Sequence, residues 1–177
     1  MRFGWARAAT VPVLVATLLV AACHRPPVSP EELAKNAADA AAFMEKNKSA
    51  EGIQTLPSGL QYKVLVSGPS GAASPDRNDL VRVDYEGALT NGTVFDSSFE
   101  RGVPLAIHVD EVVPGWTEAL QRMKAGDEWM LYVPPALGYK DQRAGDIPPN
   151  SALVFRVKLL DVAPVPGSGR AIGSAQG

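Results

Sequence analysis

The stretch NGTVFDSSFE, Asn91 to Glu100, brings two carboxylates, Asp96 and Glu100, close to two hydroxyls, Ser97 and Ser98. Three kinds of chemistry use such groups. A carboxyl pair acts as acid and base on a glycosidic bond, but it needs a set separation in a deep cleft, which a domain of this size rarely supplies. A serine nucleophile needs a base beside it. The histidines are His24 and His108; His24 adjoins Cys23 near the N-terminus, and His108 lies in an alternating strand pattern where a lone histidine is usually just exposed. The third role for Asp96 is a carboxylate in a binding pocket, or else a cap for its own turn. No G-x-S-x-G, Walker loop, H-E-x-x-H or G-x-G-x-x-G is present. Cys23 is the single cysteine, so neither an internal disulfide nor a cysteine metal site can form. Covalent and metal catalysis are therefore not expected, and neither metal nor cofactor is called for. A net charge of 17 − 19 = −2 argues against a basic face for nucleic acid.

What the chain offers instead is aromatic and aliphatic side chains at turns and strand ends: Tyr85, Phe95, Val112, Val113, Trp116, Tyr139, Ile147 and Phe155. Phe155 and Tyr85 suit a core. Trp116 and Tyr139, beside Gly/Pro turns, are less usual there. An apolar pocket with a few polar groups is the common form of a ligand site.

The elements that must position these residues follow from period. Ser29, Pro30 and Glu32 form a capping box with proline at the first helical position, and EELAKNAADAAAFMEKNK carries a helix to about Lys48. Leu33, Ala37, Ala40, Ala41 and Met44 give it a thin apolar stripe, fit for light packing on the main domain. From Leu60 the period becomes two: LQYKVLV, LVRVDYEGAL, TVFDSS, VPLAIHV, EWMLYVP and ALVFRVKLLDV read as strands. TNGT reads as a tight hairpin with positive φ at both central positions. PGWTEALQRMKAGD reads as a short helix ended by Gly126, and ALGYKDQRAGDIPPNSA as a long loop. The expected fold is α+β: five or six antiparallel strands wrapped on one short helix, preceded by an N-terminal helix.

At the N-terminus, Arg2 and Arg7 precede an apolar run from Ala8 to Ala22, too short for a membrane span. Its end, LVAAC, resembles a bacterial lipoprotein signal, which makes Cys23 the lipidated first residue of the mature chain. Several acyl chains on one residue hold a protein firmly to a membrane. His24 takes the place of the aspartate linked with inner-membrane retention, which points to the outer membrane. The expected division is 1–22 signal, 23–54 tether and helix, 55–163 the main domain, and 164–177 a Pro/Gly/Ser-rich tail expected to be disordered.

VDYEGALTNGTVFDSS, VVPGWTEALQRMKAGD and IPPNSALVFRVKLLDV resemble the FKBP-type peptidyl-prolyl cis-trans isomerases, and LPSGLQYKVLVSG matches the first strand of secreted bacterial members, nearest the macrophage infectivity potentiator group of Gram-negative envelope proteins. The resemblance runs in order from about Thr55 to Val162. It implies a curved sheet around a helix, with a site that rotates Xaa-Pro bonds of envelope proteins. It also implies the roles. Tyr85, Phe95, Asp96 and Tyr139 are the catalytic set. Val112, Val113, Trp116 as floor, Phe155, Leu105, Ile147 and Arg101, paired with Asp96, bind substrate. Leu105 stands where an aromatic is usual, and the Tyr139 loop reads GYK in place of AYG. Implied partners are proline-containing polypeptides and macrolide inhibitors of the tacrolimus or rapamycin type. The helix is shorter than the dimerisation helices of larger members, so a monomer is expected. The alternative is a chaperone-like or peptide-binding module with little turnover.

Overall fold

The computed structural model describes residues 28–165. The signal, Cys23 and most of the tail lie outside them. In chain order the elements are α1 (Pro30–Lys48), β1 (Gln54–Thr55), β2 (Gln61–Val66), β3 (Leu80–Leu89), β4 (Val94–Ser97), α2 (Ser98–Arg101), β5 (Leu105–His108), α3 (Pro114–Leu120), β6 (Glu128–Val133) and β7 (Leu153–Ala163). All strand pairs are antiparallel, in the order β1-β2-β6-β7-β3-β4. The α+β class expected from the sequence is the one observed. Seven strands appear among the described residues because the two-residue β1 pairs with β2.

β3 organises the sheet. One side pairs with β7 along its whole length. The other side is shared: Leu80–Val83 face β5 and Glu86–Ala88 face β4. Asp84 and Tyr85 fall in the gap, where the chain leaves the sheet to form α2. A strand amide left open there would be a buried unpaired donor. Ser98 closes the gap: its hydroxyl accepts from the Tyr85 N–H at 2.8 Å and donates to Asp84 at 3.1 Å. Ser97 caps α2, accepting from the Glu100 N–H at 3.3 Å. The twin serines of the opening motif are thus structural.

Alternation places Val81, Val83 and Tyr85 of β3, Trp129, Leu131 and Val133 of β6, and Leu153, Phe155, Val157 and Leu159 of β7 on the inner face. Against them lies α3 with Trp116, Ala119 and Leu120, all buried. α3 ends at Leu120, before the expected Gly126; turns carry the chain through the buried Met123 to Gly126, whose φ is +93°. Register shifts at Val64/Val66, Arg82/Val83 and Gly87/Ala88 are the irregularities at which these strands bend.

Two further local expectations change. The hairpin joining β3 and β4 has a three-residue loop: Leu89 N–H donates to Thr93 O and Gly92 N–H to Leu89 O, each at 2.9 Å. Only Gly92 has positive φ, +87°, and Asn91 instead accepts from the Thr93 N–H at 3.0 Å. This is the turn-plus-bulge alternative to a two-residue loop. α1 begins as expected, with the Glu32 N–H donating to Ser29 Oγ at 3.0 Å, but its inward face is rotated from the expected stripe. Ala37 and Ala41 are exposed, and Leu33, Asn36, Ala40, Phe43, Met44 and Asn47 turn inward. Ala40 and Met44 pack with Ala152, Phe43 and Tyr132. Gln61 joins helix to sheet, donating to Met44 O and accepting from Asn47, both at 2.8 Å.

Candidate active site

The inner face of the sheet opens beside α3 into a cavity of about 270 Å³. It is lined by Tyr85 from β3, Phe95 and Asp96 from β4, Leu105 and Ile107 from β5, Glu111, Val112 and Val113 before α3, Trp116 of α3, Tyr139, and Phe155 of β7. Nine of the eleven residues predicted from the sequence therefore meet in one place. The two others stand apart. Ile147 is buried in the core, because its backbone pairs both ways with Ala144 across the long loop, at 2.9 and 3.1 Å. Arg101 reaches Asp96 from the exposed side and is not part of the lining. Ile107 and Glu111 are additions. Ile107 was legible as the residue two beyond Leu105 on the same strand face. Glu111 carried no signal beyond adjoining Val112.

The aromatic rings form a chain of edge-to-face contacts. Tyr85 meets Trp116 at 5.3 Å, Trp116 meets Phe155 at 5.3 Å, and Phe155 meets Phe95 at 5.7 Å, with interplanar angles of 84–85°. That geometry sets the positive edge of one ring against the negative face of the next. Trp116 is 4% exposed, and its indole N–H has no acceptor among the described residues.

Gly87 makes this approach of rings feasible. A Cβ there would lie 2.7 Å from the Phe155 ring and 2.7 Å from the Phe95 ring. Gly87 pairs with Phe155 across β7 and with Asp96 across β4. The two rings fold over the bare backbone between them. Nothing local in the sequence marks this glycine.

At the rim, Tyr85 and Asp96 of the lining form a triad with Arg101, which stands outside it. The Tyr85 hydroxyl donates to one oxygen of Asp96, and Arg101 Nη1 donates to the other. Arg101 Nη2 also donates to the Tyr85 hydroxyl at 3.0 Å, and its guanidinium lies 5.5 Å from the Tyr85 ring centre. Burial by itself would raise the Asp96 carboxyl. The hydrogen bonds from Tyr85 and Arg101, with the charge of Arg101, outweigh it and hold the group below the usual carboxylate range. Burial, followed by the hydrogen bond to Asp96, raises the Tyr85 phenol. Asp96 is thus an ionised carboxylate with both oxygens occupied, a poor nucleophile and a poor general base. Tyr139 is 39% exposed at the mouth, and its hydroxyl makes no hydrogen bond among the described residues.

The described residues contain no cluster of three or more His, Cys, Asp or Glu able to hold a metal. The cavity thus has mostly apolar walls, with the ion-paired Asp96, Glu111 and the Tyr139 hydroxyl among its polar groups.

Comparison with known proteins points to one family. The model of the FKBP-type peptidyl-prolyl cis-trans isomerases matches residues 71–160, and that of the domain amino-terminal to such isomerases matches residues 26–64. The chain is 52% identical over 128 residues to the peptidyl-prolyl cis-trans isomerase Mip of Coxiella burnetii, covering 72% of this chain and 55% of that one. It is 46% identical over 129 residues to the outer membrane protein MIP of Legionella longbeachae, covering 72% and 54%. The chain thus spans about half the length of these curated relatives. Among solved structures, FkpA from Escherichia coli superposes with a TM-score of 0.73 at 42% identity, covering 77% of this chain and 63% of that one. A peptidyl-prolyl cis-trans isomerase from Pseudomonas syringae superposes with a TM-score of 0.70 at 34% identity, covering 78% of this chain and all of the other. The chain belongs to the family of FKBP-type peptidyl-prolyl cis-trans isomerases.

Proposed function

We propose that this chain catalyses cis-trans rotation of Xaa-Pro bonds in polypeptides, by binding the twisted amide in the cavity between β3, β4, β7 and α3. The observation that carries this reading is the aromatic lining of Tyr85, Phe95, Trp116 and Phe155 beside a carboxylate already neutralised by Arg101. Amide rotation faces a barrier of about 18–20 kcal/mol because resonance is lost in the twisted state. The planar amide is the more polar form, so apolar walls disfavour it relative to the twisted one while gripping the proline ring. Preferential binding of the twisted form is then the whole of catalysis. An acceleration of about 10⁴ requires about 5.5 kcal/mol, within reach of desolvation plus one or two hydrogen bonds. The Tyr139 hydroxyl and the Val113 N–H are the donors at the rim. Asp96 orients Tyr85 and sets the field beside the rotating carbonyl. Val112, Leu105 and Ile107 form the aliphatic side of the grip.

The Legionella longbeachae relative is named an outer membrane protein, which supports an envelope setting. In our reading this chain works there as a monomer, held by acyl groups on Cys23 to the outer membrane, on proline-containing clients, and the same cavity takes macrolides of the tacrolimus type. A second reading, holding unfolded chains with little turnover, draws on Val94, Phe99 and Val103, which are 42%, 41% and 64% exposed along the β4 edge and the segment after it. Refolding of a protein limited by a proline isomerisation separates the two. The isomerase reading expects faster refolding at substoichiometric amounts, lost in Trp116→Ala. Suppression of aggregation only at stoichiometric amounts, with refolding unaccelerated, would establish the holding module instead.

A further inference from the structure

The loop between β6 and β7 carries Tyr139, and α1 is fastened to it at three points. Asn36 Nδ2 donates to Pro149 O at 2.9 Å. Asn150 Nδ2 donates back to Leu33 O at 3.1 Å. Arg143 Nη2 pairs with Glu32 at 2.7 Å. The first two contacts form a reciprocal asparagine clamp, in which each amide satisfies a carbonyl of the other element. Both asparagines are partly buried, and Asn36 stands on the inward face of α1, outside the apolar stripe expected from the sequence.

The clamp continues to the site. The Asn150 N–H donates to Lys140 O at 2.6 Å, and the Lys140 N–H donates to Pro135 O at 3.0 Å. Lys140 directly follows Tyr139. Both Lys140 and Asn150 have left-handed backbones, with φ of 56° and 57°, and they are the only described non-glycine residues that do. Such residues persist only where the surroundings over-determine them, and Asn150 is among the residue types that tolerate this conformation best. One residue thus joins α1 to the backbone beside Tyr139.

We propose that α1 is a positioning element of the cavity, and that Asn36 and Asn150 fix the Tyr139 loop so that its hydroxyl meets a bound peptide. This rests on the reading of the cavity as a proline-peptide site. It gives the segment preceding the sheet a direct means of changing affinity: undocking α1 loosens one wall. Glu32 and Arg143 brace the loop from its exposed side.

The test compares the full chain with Asn36→Ala, Asn150→Gly and, as control, Lys35→Ala on the exposed face of the same helix, where Lys35 pairs with Asp39. Glycine at 150 keeps the left-handed backbone and removes only the amide side chain. Hydrogen exchange is followed in the 139–147 segment and in β3 and β7, and the Kd of a short Xaa-Pro peptide is read from tryptophan fluorescence. The proposal expects exchange of the loop to quicken and Kd to rise, each by about three- to tenfold for one lost hydrogen bond, in both asparagine variants and not in Lys35→Ala, with β3 and β7 unchanged. Unchanged loop exchange in both variants would overturn it, as would faster exchange with unchanged Kd. Peptide binding without turnover in the wild-type chain would overturn the isomerase reading while leaving these comparisons decisive for the clamp.

Discussion

Replacing Gly87 by alanine tests the ring geometry directly. The added Cβ would lie 2.7 Å from ring carbons of both Phe155 and Phe95, and 2.8 Å from a second carbon of Phe95. Ordinary carbon contacts lie at about 3.5–4.0 Å, so each ring must retreat by about 1 Å or the strand must shift. Overpacking of this kind costs about 1–3 kcal/mol of stability. Catalysis should suffer more, because misplacing a binding surface by about 1 Å can reduce rate about 10²-fold. The expected outcome is a folded protein with kcat/KM for an Xaa-Pro peptide lowered by about 10- to 100-fold, measured by protease-free exchange spectroscopy. Gly92→Ala is the matched control. It strains a left-handed residue with nothing within 4 Å of the new methyl, so it should lower stability by about 1 kcal/mol and leave kcat/KM alone. Folded Gly87→Ala protein with full activity would refute the claim that Phe95 and Phe155 grip the substrate.

Other outcomes follow from the same contacts. Because Asp96 is held below the ordinary carboxylate value, the native state binds fewer protons there than the unfolded chain. Its stabilising effect is fully present above the unfolded pKa of about 3.9 and is lost as pH falls through the lower native value. Activity should therefore be flat in this respect from about pH 5 to 8, and Tyr85→Phe should move the Asp96 carboxyl titration, followed by NMR, to higher pH. Ser98→Ala leaves the Tyr85 N–H buried at the break between β4 and β5; denaturant unfolding should show a loss of about 1–3 kcal/mol. In Arg101→Gln, Asp96 keeps its bond from Tyr85 and loses its countercharge, so the same NMR titration should again move upward.

The strands and α1 were legible because period and capping are local signals: Val81, Val83 and Tyr85 alternate inward as written, and Ser29 caps the helix that Pro30 opens. Most of the site was legible through its motifs, since Tyr85, Asp96, Val113 and Trp116 keep their order and spacing. What escaped depends on pairs distant in the chain. Gly87 matters only because Phe95 and Phe155 arrive from two different strands. Ser98 matters because β3 changes partners at Tyr85. The inward turn of Asn36 answers to Pro149, 113 residues away. Ile147 has the composition of a lining residue, but pairing with Ala144 places it in the core.

The most direct measurement is the cis-to-trans rate of a short Xaa-Pro peptide with catalytic amounts of the wild-type chain and of Asp96→Leu and Tyr139→Phe, each with and without a macrolide. The account predicts acceleration by the wild type, inhibition by the macrolide, and losses of about tenfold or more in the variants, for the removal of one charged or neutral hydrogen bond. A folded wild-type chain that leaves the rate at its uncatalysed value would contradict it, and the aromatic cavity would then be a site that holds proline peptides without turning them.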